Sequence, residues 1–179
     1  MKISGITRAA RRGLLVLAVG AIAFTLASCG SSPSVKESAP APKQEEAQEE
    51  QKTTDLAAGT AVDMGNGLTV SVDSIETGVA GNGGTYVKAT VTYKNEVDYT
   101  ASYNEYDWKG EDANGAQEHV EFYTSPSPEF KTDDNALSSG DLAAGGTKTG
   151  TLYFKEGTVK LVYTGNIFAK DVQASWTVA

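Results

Sequence analysis

Beyond residue 60 the apolar side chains recur at every second position in short runs. Leu68, Val70 and Val72 alternate with Thr69 and Ser71, and Val87, Ala89, Val91 and Tyr93 alternate with Lys88, Thr90, Thr92 and Lys94. Successive side chains of an extended chain point to opposite faces, so each run predicts a strand with one buried face. The same period predicts strands around Val120 and Phe122, around Leu152 and Phe154, and around Val159, Leu161 and Tyr163. Val172, Ala174, Trp176 and Val178 give it most cleanly, and residues 99–108 predict a further strand whose inward face is ambiguous. No run of helical period follows residue 60.

Turn chemistry separates these runs. Gly81-Asn82-Gly83-Gly84, Asp112-Ala113-Asn114-Gly115 and Ala144-Gly145-Gly146 place glycine or asparagine where tight turns need positive φ. Seven or eight short antiparallel strands in residues 61–179 predict an all-β, two-sheet sandwich, with a closed barrel as the alternative.

The N-terminus follows another rule. Lys2, Arg8, Arg11 and Arg12 precede an uncharged apolar run from Gly13 to Ala27, the layout of an export signal. The run is shorter than a membrane span requires and ends in small residues. Leu26-Ala27-Ser28-Cys29 resembles the lipobox of bacterial lipoproteins, which implies a signal peptide over residues 1–28, removed before a Cys29 that carries lipid. Two acyl chains anchor a protein stably where one does so marginally. The expected location is therefore the extracytoplasmic face of a cell membrane, with Cys29 as an anchor rather than a redox group. Arg11-Arg12 also resembles a twin-arginine signal, although the flanking residues match poorly and two ordinary leader charges are the favoured reading.

Residues 29–60 are rich in Ser, Pro, Ala, Glu and Gln and nearly devoid of large apolar groups, which predicts a disordered acidic tether. At full stretch such a chain reaches about 100 Å. Removing the leader takes away four basic residues and no acid, so the formal charge falls from -8 to -12. Nucleic acid, which requires clustered Lys and Arg, is not an expected partner.

Four segments in order, Gly67 to Val72, Tyr86 to Asn95, Asp112 to Gly115 and Leu142 to Phe154, resemble the telokin-like, immunoglobulin-type domain of bacterial lipoproteins of unknown function. The resemblance implies an immunoglobulin-like β-sandwich over residues 61–179 and brings no catalytic residues. The polar insert at residues 124–139, with Pro126 and Pro128, departs from it.

Candidate chemistry is sparse. The one histidine, His119, lies in an expected strand between acids, and there is no second histidine or cysteine in the domain to complete a triad or a zinc site. No cofactor is expected. Asp107, Glu111 and Asp112 fall at strand ends or turns, where solvated carboxylates are expected. Asp133, Asp134, Asn135 and Asp141 group oxygen donors that could hold calcium but lack the order of an EF-hand loop. Tyr103, Tyr106 and Trp108, with Tyr99, crowd aromatic faces among polar groups, a composition suited to sugars or peptides. The sequence thus points to a non-catalytic binding domain with an envelope protein or glycan as ligand. The alternatives are an accessory subunit pairing through a sheet edge and, less supported, a carbohydrate-active enzyme.

Overall fold

The computed structural model describes residues 34–36, 52–166 and 168–179. The expected leader, Cys29 and most of the expected tether lie outside the described residues. The described residues form eleven strands: β1 (Ser34–Lys36), β2 (Ala61–Asp63), β3 (Leu68–Gly81), β4 (Gly84–Asn95), β5 (Ala101–Tyr103), β6 (Trp108–Asp112), β7 (Gln117–His119), β8 (Gly140–Leu142), β9 (Thr147–Lys155), β10 (Thr158–Tyr163) and β11 (Ala174–Thr177). All pairings between them are antiparallel, in a five-stranded sheet β1-β2-β3-β4-β9, a four-stranded sheet β11-β10-β6-β7 and a small β5-β8 pair. The architecture is an all-β sandwich. Among the described residues no helix is long and apolar enough to cross a membrane.

The two large sheets bury the faces that alternation predicts. Val70, Val72, Ala89, Val91 and Tyr93 of the first sheet and Trp108, Leu161 and Trp176 of the second are all fully buried. Tyr93 spans the layers: its hydroxyl accepts a 2.7 Å hydrogen bond from the Trp108 indole and donates to the Asn104 carbonyl at 3.2 Å. Trp108 also packs on Tyr163 and Trp176, with ring centroids 5.2 and 5.5 Å away. Such pairs add about 0.5–1.5 kcal/mol each beyond burial.

Asn95 explains why β4 ends where it does. It is fully buried, its amide donates to the carbonyls of Tyr99, Leu142 and Ala143, and its side-chain oxygen accepts from the Val97 N–H. One side chain thereby satisfies backbone groups that the turn leaves without sheet partners.

The differences from the sequence reading have local causes. The folded domain begins before residue 61: Thr53 and Leu56 pair with β11 through Ser175 N–H to Thr53 O at 3.0 Å and Leu56 N–H to Ser175 O at 2.9 Å. Ser34–Lys36, inside the expected tether, pairs with β2. Neither stretch carries the alternation that marks a strand. Residues 99–108 are not one strand but β5, a 3-10 turn (Glu105–Asp107) and the start of β6. Val120 and Phe122 lie outside the strands, with Phe122 78% exposed. The pairing of β10 with β6 shifts register between Thr158 and Lys160, where Val159 is exposed, while Leu161, Val162 and Tyr163 are all buried. Val172 precedes β11 and is exposed.

The insert at residues 124–139 lies along the open side of β9. Thr151 N–H donates to Asn135 O at 2.9 Å and Leu137 N–H to Thr151 O at 2.8 Å. Gly150 allows this approach, because a Cβ there would stand 3.0 Å from the Leu137 backbone.

Tyr93→Phe removes the acceptor of the Trp108 indole and leaves a buried N–H unpaired, a loss expected to cost about 1–3 kcal/mol. Urea unfolding should show a lower midpoint with an unchanged slope.

Candidate functional site

The 3-10 turn Glu105–Asp107 divides two concavities and sets the geometry of both. Asn104, in an extended conformation, caps it with its side-chain oxygen accepting from Tyr106 N–H at 2.9 Å. The turn directs Tyr106 outward while Trp108, immediately after it, enters the core.

The expected aromatic patch is consequently dispersed. Trp108 is fully buried and unavailable to a ligand. Tyr103 is half-buried against Tyr93, with centroids 5.7 Å apart. Of the three candidates Tyr106 alone is largely open, at 44% exposure, with its ring edge-on to the exposed His119 at 6.2 Å. Tyr99 is exposed at the other end of β5. The strand period could not reveal this, because a 3-10 turn interrupts it.

On one side of the turn lies a groove of about 160 Å³ whose lining includes Glu105, Tyr106, Phe122, Tyr123, Asp133 and Tyr153. Tyr123 and Tyr153 stack with centroids 4.0 Å apart and planes 7° from parallel, and Tyr86 meets both edge-on. Asp133 fixes the wall: it accepts from the Thr151 hydroxyl at 2.6 Å, the Tyr153 hydroxyl at 2.7 Å and the Asn135 N–H at 2.9 Å. Burial opposes its charge, yet those hydrogen bonds, with the charge of Lys88, hold its carboxyl below the usual range. Burial first, and then Asp133, keep the Tyr153 phenol protonated well above its usual range. Glu105 Oε2 is buried with no hydrogen-bond partner among the described residues.

The calcium candidates separate. Asp133 is engaged by hydroxyl and N–H donors, and Asp134 is exposed beside it. Asn135 spends its carbonyl on β9, whereas Asp141 lies on β8 and accepts from Ser102 at 2.7 Å. Among the described residues no three His, Cys, Asp or Glu side chains converge on a metal position.

On the other side of the turn an open cavity of about 600 Å³ includes Tyr103, Asn104, Asp107, Asp141, Asn166 and Phe168 in its lining. Here the expectation of a solvated acid fails, since Asp107 is only 9% exposed. Its backbone carbonyl accepts from the Thr164 N–H and hydroxyl, which binds the turn to the end of β10. Burial, and then the neighbouring charge of Glu105, raise its carboxyl to about 6. Glu111 and Asp112 follow expectation: Glu111 pairs with Lys160 at 3.6 Å, and Asp112 accepts from the N–H groups of Asn114 and Ala116. Glu105 and Asp107 were the residues least visible in the sequence. Their one signal is the Asn104 cap before an aromatic residue flanked by acids.

The profile of a family described as Domain of unknown function (DUF4352) matches residues 56–173. The chain belongs to that family. The matched span of DUF4352 contains both concavities and begins at Leu56, the residue that pairs with β11. Among solved structures the chain is similar to the yjhA protein from Bacillus subtilis, with 18% identity, a TM-score of 0.48, and coverage of 63% of this chain and 92% of that one. It is also similar to MPT63, a secreted protein from Mycobacterium tuberculosis, with 15% identity, a TM-score of 0.44, and coverage of 67% and 86% respectively. No curated protein matches the chain.

The elevated carboxyl of Asp107 has a pH signature. Its folded form holds a proton up to about pH 6, whereas an ordinary aspartate releases it near 3.8, so stability falls as pH rises through that window. Asp107→Asn removes the charge and should stabilise the protein by about 1–2 kcal/mol above pH 7, with the gain vanishing below pH 4. Thermal unfolding across that range measures it, and a gain independent of pH would refute the assignment.

Proposed function

We propose that this DUF4352 chain is a lipid-anchored extracytoplasmic lipoprotein whose immunoglobulin-like, telokin-type sandwich binds a ligand without catalysis. The carrying observation is the groove beside the 3-10 turn. Two exposed rings, Tyr106 and Phe122, share it with the stacked Tyr123 and Tyr153. Aromatic faces offer large contact area at small entropic cost. The wall is already fixed by Asp133, so binding does not have to order it. An envelope peptide or glycan suits this chemistry.

Anchoring and location rest on the leader and on Leu26-Ala27-Ser28-Cys29. The non-catalytic reading rests on how the acids are engaged: Asp133, which shares the groove with Glu105, accepts from Thr151, Tyr153 and Asn135, and Asp141, which shares the other cavity with Asp107, accepts from Ser102. Pairing through a sheet edge would have to use β1 or β7, because Thr53 and Leu56 already pair with β11 and Asn135 and Leu137 already pair with β9.

Two measurements test the proposal. Intact-mass analysis of the protein from its native host should find Cys29 N-terminal and diacylated; a bare thiol, or a leader still attached, would overturn the anchoring. The full chain in detergent should bind a subset of envelope glycans or peptides on an array, and Tyr106→Ala/Phe122→Ala should abolish that binding with circular dichroism unchanged. Retained binding by the double variant would remove the groove from the proposal.

A further inference from the structure

The cavity on the far side of the 3-10 turn has features that the groove lacks. Asp107 is nine-tenths buried and lines it, and its carboxylate makes no hydrogen bond or ion pair among the described residues. A buried charge is costly unless a partner compensates it. The groups around it supply none. Glu105 on the same turn and Asp141 on β8 are both acids, and Tyr93 on β4 and Tyr163 on β10 are phenols held protonated well above their usual range, chiefly by burial. Lys109 on β6 directs its ammonium to the Ala169 carbonyl at 3.2 Å.

The remaining lining suits a small organic cation rather than a metal ion. Among the described residues no three His, Cys, Asp or Glu side chains converge on a metal position, and the oxygens that border the cavity already accept hydrogen bonds. Asn104 accepts from Tyr106 N–H, Asn166 from Phe168 N–H, and Asp141 from Ser102. Two aromatic residues border the space: Phe168 is 86% exposed at the rim, and Tyr103 lies over Gly140, where a Cβ would meet its hydroxyl at 2.5 Å. An aromatic face attracts an ammonium held close to it, and a carboxylate in the lining completes the recognition.

We propose that the cavity bounded by Tyr103, Asp107, Asp141 and Phe168 binds a primary ammonium group, with the Asp107 carboxylate as its counter-ion. A free amine and a lysine side chain share this chemistry. The site is independent of the aromatic groove, so failure of either leaves the other standing.

The test is a titration of the full chain in detergent micelles, followed through the backbone amide signals of Gly140, Gly165 and Asn166. n-Butylammonium should shift them saturably at pH 7.5, and isosteric n-butanol should not. Asp107→Asn, close to isosteric, should weaken the affinity at least tenfold. In the wild type, lowering the pH from 7.5 to 5 should weaken it about tenfold, as the carboxylate takes up its proton. Nα-acetyl-lysine amide distinguishes the sources. Binding as tight as that of n-butylammonium assigns the cavity to lysine side chains, and binding of n-butylammonium alone assigns it to free amines. Equal shifts with n-butanol, equal affinity in Asp107→Asn, or no saturable shift with either amine would overturn the proposal.

Discussion

One hydrogen bond joins the two sheets at their centre, from the Trp108 indole to the Tyr93 hydroxyl. Tyr93 belongs to the first sheet and Trp108 to the second, so the bond fixes how the layers face each other. Apolar packing alone is non-directional and would tolerate a slip of one sheet over the other. The hydroxyl also donates to Asn104 O, the carbonyl of the residue that caps the 3-10 turn. The core contact and the geometry of the candidate sites are thereby mechanically continuous.

That continuity accounts for the position of the acids. Trp108 must point inward, and Thr164 grips the Asp107 carbonyl. The turn between these constraints has little freedom, and Asp107 is carried below the surface whether or not its charge is compensated. Its raised carboxyl is the electrostatic consequence of that placement. Proteins tolerate such local costs when the surrounding packing over-determines the backbone, and they concentrate at binding sites.

The insert at residues 124–139 does for β9 what Thr53 and Leu56 do for β11: it takes up backbone groups along an open strand side. An unpaired edge templates association with other chains, and covering it suppresses that association. In this fold the covering segment also builds a wall, because Asp133 ties the insert to Thr151 and Tyr153 at the aromatic groove. Edge protection and site construction are carried by the same segment of chain.

The amino-acid sequence by itself determined the fold class, the inward faces of β3, β4 and β9 and the tight turns, because a two-residue period and glycine-rich turns are local properties of the chain. It also carried the leader pattern that ends at Cys29. The small strands β5, β7 and β8, the pairing of Thr53 and Leu56, and the register shift beside the exposed Val159 were not legible, since each depends on a partner distant in sequence. The same holds for the candidate sites. Tyr106 was visible as an aromatic residue among polar ones, but the burial of Trp108, the buried oxygen of Glu105 and the submerged carboxylate of Asp107 were decided by the tertiary structure. Exposure and desolvation are set by what packs against a side chain, and the order of residues along a strand does not encode its neighbours across the sandwich.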